Sequence, residues 1–327
     1  MKKGFTRTIL GAAVAAFAVA AIPTGPAVAV ELPCSTAKLI VPWSPGGGTD
    51  VIFRIIVNAA NKAGAEPQLQ VVNISGQGGN KGAKEAVKAK PNGCTLFAIH
   101  QSAMTSYFTG RVDFSFEAFE PVALLTQSPP IIGAHPGVPY KNVKDLVAAA
   151  KAAPGTILTG ATMGSTSHFW FLLLEDATGI KLKYVPYDGT RQRMTALLAK
   201  NIDLGEINLT SAVKYIQTNE LKALGIATET RNSQIPDVPT LREQGIDYVY
   251  GTDRGIVAPK GTPREALLYW EGVLKKAMQD PDVISTFDKK GTLIIFKGSD
   301  EYGKYIDETF TTWKKIAKSV GAYKRKD

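Results

Sequence analysis

Residues 38–56 read KLIVPWSPGGGTDVIFRII and contain a strand, a loop and a helix in succession. Residues 38–43 are short and mostly apolar, which is typical of a buried strand. The run 45–48, PGGG, predicts a turn. From Thr49 onward, apolar residues recur at helical spacing. A strand that leads through a glycine-rich loop into a helix is the repeating unit of an α/β protein.

The same alternation continues along the chain. Strands are predicted at 69–73 and 95–99 with a helix near 81–90 between them, and this βαβαβ order predicts a parallel sheet with helices on both faces. A second α/β unit begins after Pro136. Its predicted helices are 142–152, 168–178, 191–199 and 211–218, and its predicted strands are 156–160, 182–185, 203–207 and 221–227.

The C-terminal part of the chain predicts helices but no further sheet. These helices, at 263–277, 281–289 and 299–320, are expected to pack on the first unit. The chain must then cross between the units twice, near 131–134 and 250–258. We therefore predict two doubly wound α/β lobes: residues 30–131 plus 254–327 form lobe 1, and residues 132–253 form lobe 2. Such a two-strand crossing is a hinge, because a few residues can absorb a closing rotation.

The N-terminus is typical of an export signal. Lys2, Lys3 and Arg7 precede an apolar run from residue 9 to about residue 22, and the small-x-small pattern of a cleavage site ends at Ala29. We predict that residues 1–29 are a signal peptide and that the mature protein lies in the periplasm. The alternative is an uncleaved membrane anchor, but the run is shorter than the ~20 apolar residues of a spanning helix.

The net charge of the chain and the distribution of its basic residues indicate which kind of molecule it binds. Removal of the signal peptide would lower the formal net charge from +9 to +6. The basic residues are scattered among acids, and only the tail 324–326 is a basic run. We therefore expect no nucleic acid as a partner, and an anionic small molecule fits the balance best.

Two cysteines remain in the mature chain. Export places Cys34 and Cys94 in an oxidising compartment, where they either form a disulfide or remain two buried thiols. Together with His100, His135 and His168 they make no recognisable zinc pattern. We expect neither a metal nor a cofactor.

Three glycine-rich loops follow predicted strands, at the edge of the sheet where open α/β proteins bind ligands. Their residues are 43–50 (WSPGGGTD), 76–80 (GQGGN) and 162–167 (TMGSTS). Glycine lets backbone N–H groups approach a ligand, and Thr49 is expected to cap a helix whose N-terminus carries partial positive charge. Such loops suit an anion. The alternative is that each is only a tight turn.

The common enzyme motifs are absent. Gly48 is followed by Thr49 and Asp50 instead of the Lys-Ser/Thr of a phosphate loop. Residues 164–168, GSTSH, do not match the G-x-S-x-G nucleophile elbow. His168 is therefore expected to pack or to bond a loop carbonyl. We expect no catalytic residue and no enzymatic activity; the rival interpretation is an α/β-hydrolase-like or transferase enzyme.

Residues 41–50, VPWSPGGGTD, resemble the first-loop signature of the solute-binding proteins of tripartite tricarboxylate transporters, also called Bug receptors. The resemblance covers essentially the whole mature chain in order, through 76–82, 91–96, 135–136, 164–168, 185–187, 202–203, 208, 221–227, 236–240 and 258–263. It implies a periplasmic binding protein type II-like fold, a Venus flytrap that delivers an organic acid to a membrane permease with a large and a small subunit. The receptor is expected to be a monomer.

The resemblance also implies that loops of both lobes hold one carboxylate of the ligand. The candidate ligand-binding residues are Trp43, Ser44, Gly48, Thr49, Gln77, His100, Gln101, Ser102, Gly164, Ser165, Thr166, His168, Tyr187, Asn208 and Arg254.

Departures from the family pattern concern the far end of the ligand. Ile207 stands where receptors thought to prefer amino acids often carry Asp, so an α-amino acid is not expected. Arg254 is suited to a bidentate grip on a second carboxylate, which favours a di- or tricarboxylate. Arg191 and Arg193 either reach the ligand or begin a solvated helix, and for Arg193 the solvated helix is the expectation.

Two alternatives stay open. An aromatic acid flanked by Trp43, Tyr107, Phe108 and Tyr187 would also fit, although Tyr107 and Phe108 are equally suited to core packing. A closed receptor that docks on a sensor kinase would have the same sequence features as one that serves a permease.

Overall fold

A computed structural model describes residues 31–326, so the predicted signal peptide and its cleavage after Ala29 lie outside the described residues. The strands are β1 Thr36–Val41, β2 Gln68–Asn73, β3 Thr95–Ile99, β4 Phe119–Ser128, β5 Pro130–Ala134, β6 Leu158–Ala161, β7 Lys183–Pro186, β8 Leu204–Asn208, β9 Lys222–Ile226, β10 Thr252–Pro259 and β11 Leu293–Gly298. The α-helices are α1 Gly48–Lys62, α2 Asn80–Lys88, α3 Ser102–Phe108, α4 Val143–Ala152, α5 Thr166–Thr178, α6 Thr190–Leu198, α7 Leu209–Gln217, α8 Arg264–Met278, α9 Pro281–Lys289 and α10 Ser299–Ser319.

The strands form two sheets, and the α/β class is confirmed. The first sheet has the order β11-β4-β10-β3-β1-β2, and the second has the order β7-β6-β8-β5-β9. In the first sheet β1 pairs in parallel with β2 and β3, as the βαβαβ order predicts. In the second sheet β6 pairs in parallel with β7 and β8.

Both sheets are mixed, because antiparallel strands join the predicted parallel units. Strand β10 runs antiparallel to β3 and β4, and β11 runs antiparallel to β4. In the second sheet β5 runs antiparallel to β8 and β9. Strands β4, β5, β10 and β11 escaped sequence analysis because they do not alternate with helices in the βαβ manner.

The chain passes between the sheets where two strands lie side by side. Strand β4 ends at Ser128 in the first sheet, and β5 begins at Pro130 in the second. The chain returns to the first sheet at Thr252, which is paired with Ser128. The predicted crossing near 131–134 therefore lies in β5, and residues 252–258 of the second predicted crossing lie in β10. The lobe boundaries, as units that move, stay a prediction.

The first helix shows how the loop residues organise the local structure. Gly47 occupies the N-cap position of α1, and the Thr49 hydroxyl does not cap it, contrary to expectation. Instead, the buried Asp50 carboxylate accepts hydrogen bonds from the Gly46 N–H at 2.8 Å and from the Arg54 guanidinium at 3.0 Å. The Asp50–Arg54 pair therefore forms with a buried carboxylate, 2% exposed, which holds the glycine loop to its helix.

The C-terminal helices pack on the first sheet as expected, because α8 and α10 both contact β4. Strand β11, between α9 and α10, adds an edge to that sheet. Within residues 31–326, the structure contains no helix that is both long and apolar enough to span a membrane.

Cys34 and Cys94 form a disulfide, which closes a sequence separation of 60 residues. It joins the segment before β1 to the segment before β3, at the start of two paired strands.

The disulfide restricts the unfolded chain, so we expect Cys34→Ser with Cys94→Ser to lower the free energy of unfolding by about 2–4 kcal/mol. Urea denaturation measures the loss. Reductant should destabilise the wild type to the same degree and leave the stability of the double variant unchanged. Equal urea midpoints for the oxidised wild type and the double variant would contradict the prediction.

Candidate functional site

A cavity lies between the two sheets, at the carboxyl ends of β1, β3, β6 and β8, with about 430 Å³ of empty space including its mouth. The lining residues are Trp43, Ser44, Gly47, Gly48, Thr49, His100, Thr162, Ser165, Thr166, Ser167, Gly189, Thr190, Arg191, Gln192, Arg193, Glu206, Asn208, Thr252 and Arg254.

Four helices begin at this cavity. The N-terminal residues of α1 line it from the first sheet, and those of α5 and α6 line it from the second. Helix α7 begins directly after Asn208, which is also a lining residue. The first N–H groups of a helix have no partner within it, and the helix dipole places partial positive charge there. Four such ends in one cavity, from both sheets, favour a bound anion.

Arg254 is the central cation of the cavity and is only 1% exposed. Its Nε donates to the Thr49 hydroxyl at 3.0 Å, and Nη2 donates to Asn208 Oδ1 at 2.7 Å. Nη1 donates to the Thr252 carbonyl at 3.2 Å. Burial lowers the pKa of Arg254 to about 10, while Glu206 and Asp253 oppose the shift, so the side chain stays charged at neutral pH. Arg254 therefore ties the first loop to the second sheet and keeps further N–H donors for a ligand.

Arg193 lines the same cavity from α6. It is 3% exposed and forms an ion pair with Glu206 in which Nη2 and Oε2 are 2.6 Å apart. The expectation of a solvated position was wrong, because α6 lies against β8 and places residue 193 over Glu206. Arg191, two positions earlier, is exposed and donates to the Pro45 carbonyl at 2.7 Å.

Burial also shifts the pKa values of His100 and Glu206. Burial, followed by the nearby Arg254 charge, lowers the pKa of His100 to about 3, so its ring is neutral at pH 7. Its Nδ1 accepts from the Ser102 N–H at 3.2 Å, which leaves the proton on Nε2. Burial raises the pKa of Glu206, and the charges of Arg193 and Arg254 oppose that shift. The His100 ring is stacked on Trp43 with 5.3 Å between centroids.

Contacts between loops of the two sheets close the mouth of the cavity. Asp188 accepts from the Gly78 N–H at 2.6 Å, and Gln192 Nε2 donates to the Ser44 hydroxyl at 3.1 Å. The Arg111 guanidinium donates to the carbonyls of Gln77, at 2.8 Å, and Met163. The structure is therefore in a closed arrangement, in which all three predicted glycine-rich loops are held together.

The structure brings most of the sequence-predicted residues to the cavity. Those that line it are Trp43, Ser44, Gly48, Thr49, His100, Ser165, Thr166, Asn208 and Arg254.

Six predicted residues lie outside the lining. Gln101 binds the buried Asp253 carboxylate at 2.6 Å, and Ser102 donates its N–H to His100. Gln77 is exposed at the mouth, and the Gly164 backbone adjoins the Arg111 side chain. The remaining two belong to the second sheet's packing, since His168 contacts Tyr184 edge-on and Tyr187 covers Gly160.

His168 accepts a long hydrogen bond from the Gly164 N–H, 3.4 Å at Nδ1, so it packs instead of bonding a carbonyl. Tyr107 and Phe108 are in an aromatic cluster with Phe310, away from the cavity. Among residues 31–326, no three His, Cys, Asp or Glu side chains are placed to hold a metal ion.

Several lining residues were missed by sequence analysis, and Glu206 is the most consequential. Its signal was an acidic residue inside the otherwise uncharged strand LGEIN, since charged groups are rarely buried unless they are paired. Its neighbour Ile207 points the other way, into the apolar cluster with Ile131 and Leu197. Position 207 therefore does not contact the cavity, and Ile207 does not argue against an amino-acid ligand.

Comparison with known proteins agrees with the resemblance found in the sequence. A family model described as tripartite tricarboxylate transporter family receptor matches residues 52–322. A UPF0065 protein from the TAR-I ttuE–ttuC' intergenic region of Agrobacterium vitis is 33% identical over 265 residues, which are 80% of this chain and 76% of that protein.

Two solved structures share the fold closely. The periplasmic binding protein BugD has a TM-score of 0.84 at 25% identity, covering 89% of this chain and 99% of its own. MatC from Rhodopseudomonas palustris, solved with bound malate, has a TM-score of 0.81 at 26% identity, covering 86% of this chain and 98% of its own.

Proposed function

This chain belongs to the tripartite tricarboxylate transporter receptor family, and on that premise we propose that it is an extracytoplasmic receptor for a small organic di- or tricarboxylate. The observation that carries the proposal is the convergence of four helix N-termini and the buried Arg254 on one cavity. These groups offer hydrogen-bond donors and positive charge from both sheets, which together suit an anion with more than one carboxylate.

Capture works by closure in this proposal. One carboxylate accepts hydrogen bonds from the α1 end, at Gly48 and Thr49, and from the α5 end, at Thr166. A ligand that bridges the two ends favours the closed state, because it makes both sets of contacts only there. The paired strand positions Ser128 and Thr252 are then the hinge. No covalent or proton-transfer step is needed.

The second carboxylate is assigned to Arg254. Its guanidinium has five N–H donors, of which Thr49, Asn208 and Thr252 take three. MatC, with a comparable fold, was solved with the dicarboxylate malate, which supports this ligand class. An aromatic acid is less well supported, because Tyr107, Phe108 and Tyr187 lie outside the cavity lining and only Trp43 remains of the predicted aromatic set.

The proposal includes export to the periplasm, with residues 1–29 as signal peptide, and delivery to a permease of a large and a small membrane subunit. The n-region, apolar run and cleavage pattern support export. The family description supports the transporter partner, and a sensor kinase is the alternative partner. Uptake of labelled ligand into vesicles that contain the permease, with and without this receptor, distinguishes transport from sensing.

Thermal unfolding with a panel of organic acids tests the ligand class. A ligand at 100 times its dissociation constant adds about 2.7 kcal/mol of stability, which in a chain of about 300 residues raises the midpoint by about 4 °C. We expect such a shift with malate, succinate or citrate. A panel in which a sugar or a cation raises the midpoint and none of the carboxylates does would refute the proposal.

A further inference from the structure

We propose that Glu206, assisted by Gln192, makes this receptor selective for carboxylates that carry a hydroxyl group on their carbon skeleton. This inference rests on the proposed function and refines it from di- or tricarboxylates in general to hydroxy acids. Its basis is a pair of hydrogen-bond acceptors in a cavity that is otherwise lined mainly by donors.

Glu206 lines the cavity and is 4% exposed. Its Oε2 accepts from Arg193 Nη2 at 2.6 Å, and its Oε1 accepts from Asn208 Nδ2 at 3.2 Å. A carboxylate has about four acceptor positions, so Glu206 keeps acceptor capacity beyond these two bonds. A ligand made only of carboxylates and methylene groups has no hydrogen-bond donor for the free acceptor positions of Glu206. Its own negative charge would also face the Glu206 oxygens.

Gln192 is a second acceptor in the lining. Its Nε2 donates to the Ser44 hydroxyl at 3.1 Å, whereas its Oε1 is buried and accepts no hydrogen bond in the described part of the chain. A buried polar atom left without a partner carries an unfavourable desolvation cost. A hydroxyl on the ligand can donate to Glu206 or Gln192 and remove part of that cost.

The charges of the site favour a hydroxyl over an ammonium group as this donor. The negative charge of Glu206 is already paired with Arg193, and Arg254 lies in the same cavity. The helix N-termini add further positive potential. An ammonium would be repelled by these groups, whereas a neutral hydroxyl donates one hydrogen bond without adding charge.

Two matched ligand pairs test the proposal by titration calorimetry: L-malate against succinate, and citrate against tricarballylate. Each pair differs by one hydroxyl. A site built to bond a hydroxyl rejects the analogue that lacks it, and loss of a bond to a charged acceptor predicts at least about 10-fold weaker binding. L-aspartate is the third C4 ligand and should bind more weakly than malate.

Variants of the cavity residues test whether Glu206 and Gln192 are responsible for the preference for hydroxy acids. Glu206→Gln should reduce the preference for malate over succinate to about threefold or less, and the exposed Glu220→Gln should leave it unchanged. Because Glu206 supports a buried ion pair, Gln192→Leu provides a second variant that spares this pair, and it should also reduce the preference.

The outcomes are distinguishable. A smaller preference in either cavity variant, with the Glu220→Gln preference intact, supports the inference. If the hydroxy acid and its analogue bind with equal affinity, or if aspartate binds most tightly, the hydroxyl inference is wrong. The proposed receptor function would stand in either case. If none of the five ligands binds, the proposed function fails with it.

Discussion

Replacing Arg254 by methionine should weaken dicarboxylate binding about 100-fold or more while the protein remains folded. The side chain is 1% exposed and joins Thr49 of the first loop to Asn208 at the end of β8. Truncation of one partner in a buried, hydrogen-bonded charge pair typically costs about 2–5 kcal/mol of binding free energy. The variant loses both a direct ligand contact and the bridge that orders the two loops.

Calorimetry with a dicarboxylate and its matched monocarboxylate, such as succinate and butyrate, separates these two effects. If Arg254 holds the second carboxylate, succinate loses far more affinity than butyrate. Equal losses would remove Arg254 from the distal end of the ligand and leave it only the loop-ordering role. Arg242→Met is the matched control, since Arg242 is half-exposed and pairs with Glu229 and Asp247 outside the cavity.

Arg193→Met should lower the free energy of unfolding by about 3–5 kcal/mol. The substitution leaves Glu206 as a buried carboxylate without its ion-pair partner, 2.6 Å away in the wild type. For a chain of about 300 residues the thermal midpoint should fall by about 5–8 °C. Arg191→Met on the same helix is the control: Arg191 is exposed, so its midpoint should change by no more than a degree or two.

The double variant Arg193→Met with Glu206→Met gives a sharper test. Removing both charges leaves no unpaired carboxylate, so the double variant should be more stable than Arg193→Met alone. A double variant that is less stable than the single one would show that packing of the arginine, not its charge, carries the effect.

The destabilisation by Arg193→Met should depend on pH. Burial already raises the pKa of Glu206 in the wild type, and Arg193 opposes the shift, so its removal raises that pKa further. A carboxyl with a raised pKa in the folded state favours folding when protonated and loses that contribution as pH rises. The difference between variant and wild type should therefore be small near pH 4 and should grow as the pH rises towards 7. A pH-independent difference would contradict the buried-charge explanation.

Local patterns were sufficient for much of the fold. Strand β3 and helix α9 begin and end where the sequence predicts, at Thr95–Ile99 and Pro281–Lys289, because apolar periodicity and a proline at the helix start act over a few residues. The glycine loops after β1 and β6 follow from the same short-range signals. Strand β10 was instead interpreted as a crossing, since its partners β3 and β4 are more than 120 residues away in sequence.

The sequence by itself determined the α/β alternation, the glycine loops that start helices at the site, and the family these loops resemble. Only the tertiary structure decided which charges are buried together. Arg193 looks like a solvated helix residue and Glu206 like an isolated acid in a strand, until α6 packs on β8 and joins them. Ile207 and Glu206 are neighbours in sequence, yet one is in the core and the other in the cavity. Successive strand residues face opposite sides, and the elements packed on each side decide which becomes core and which becomes site.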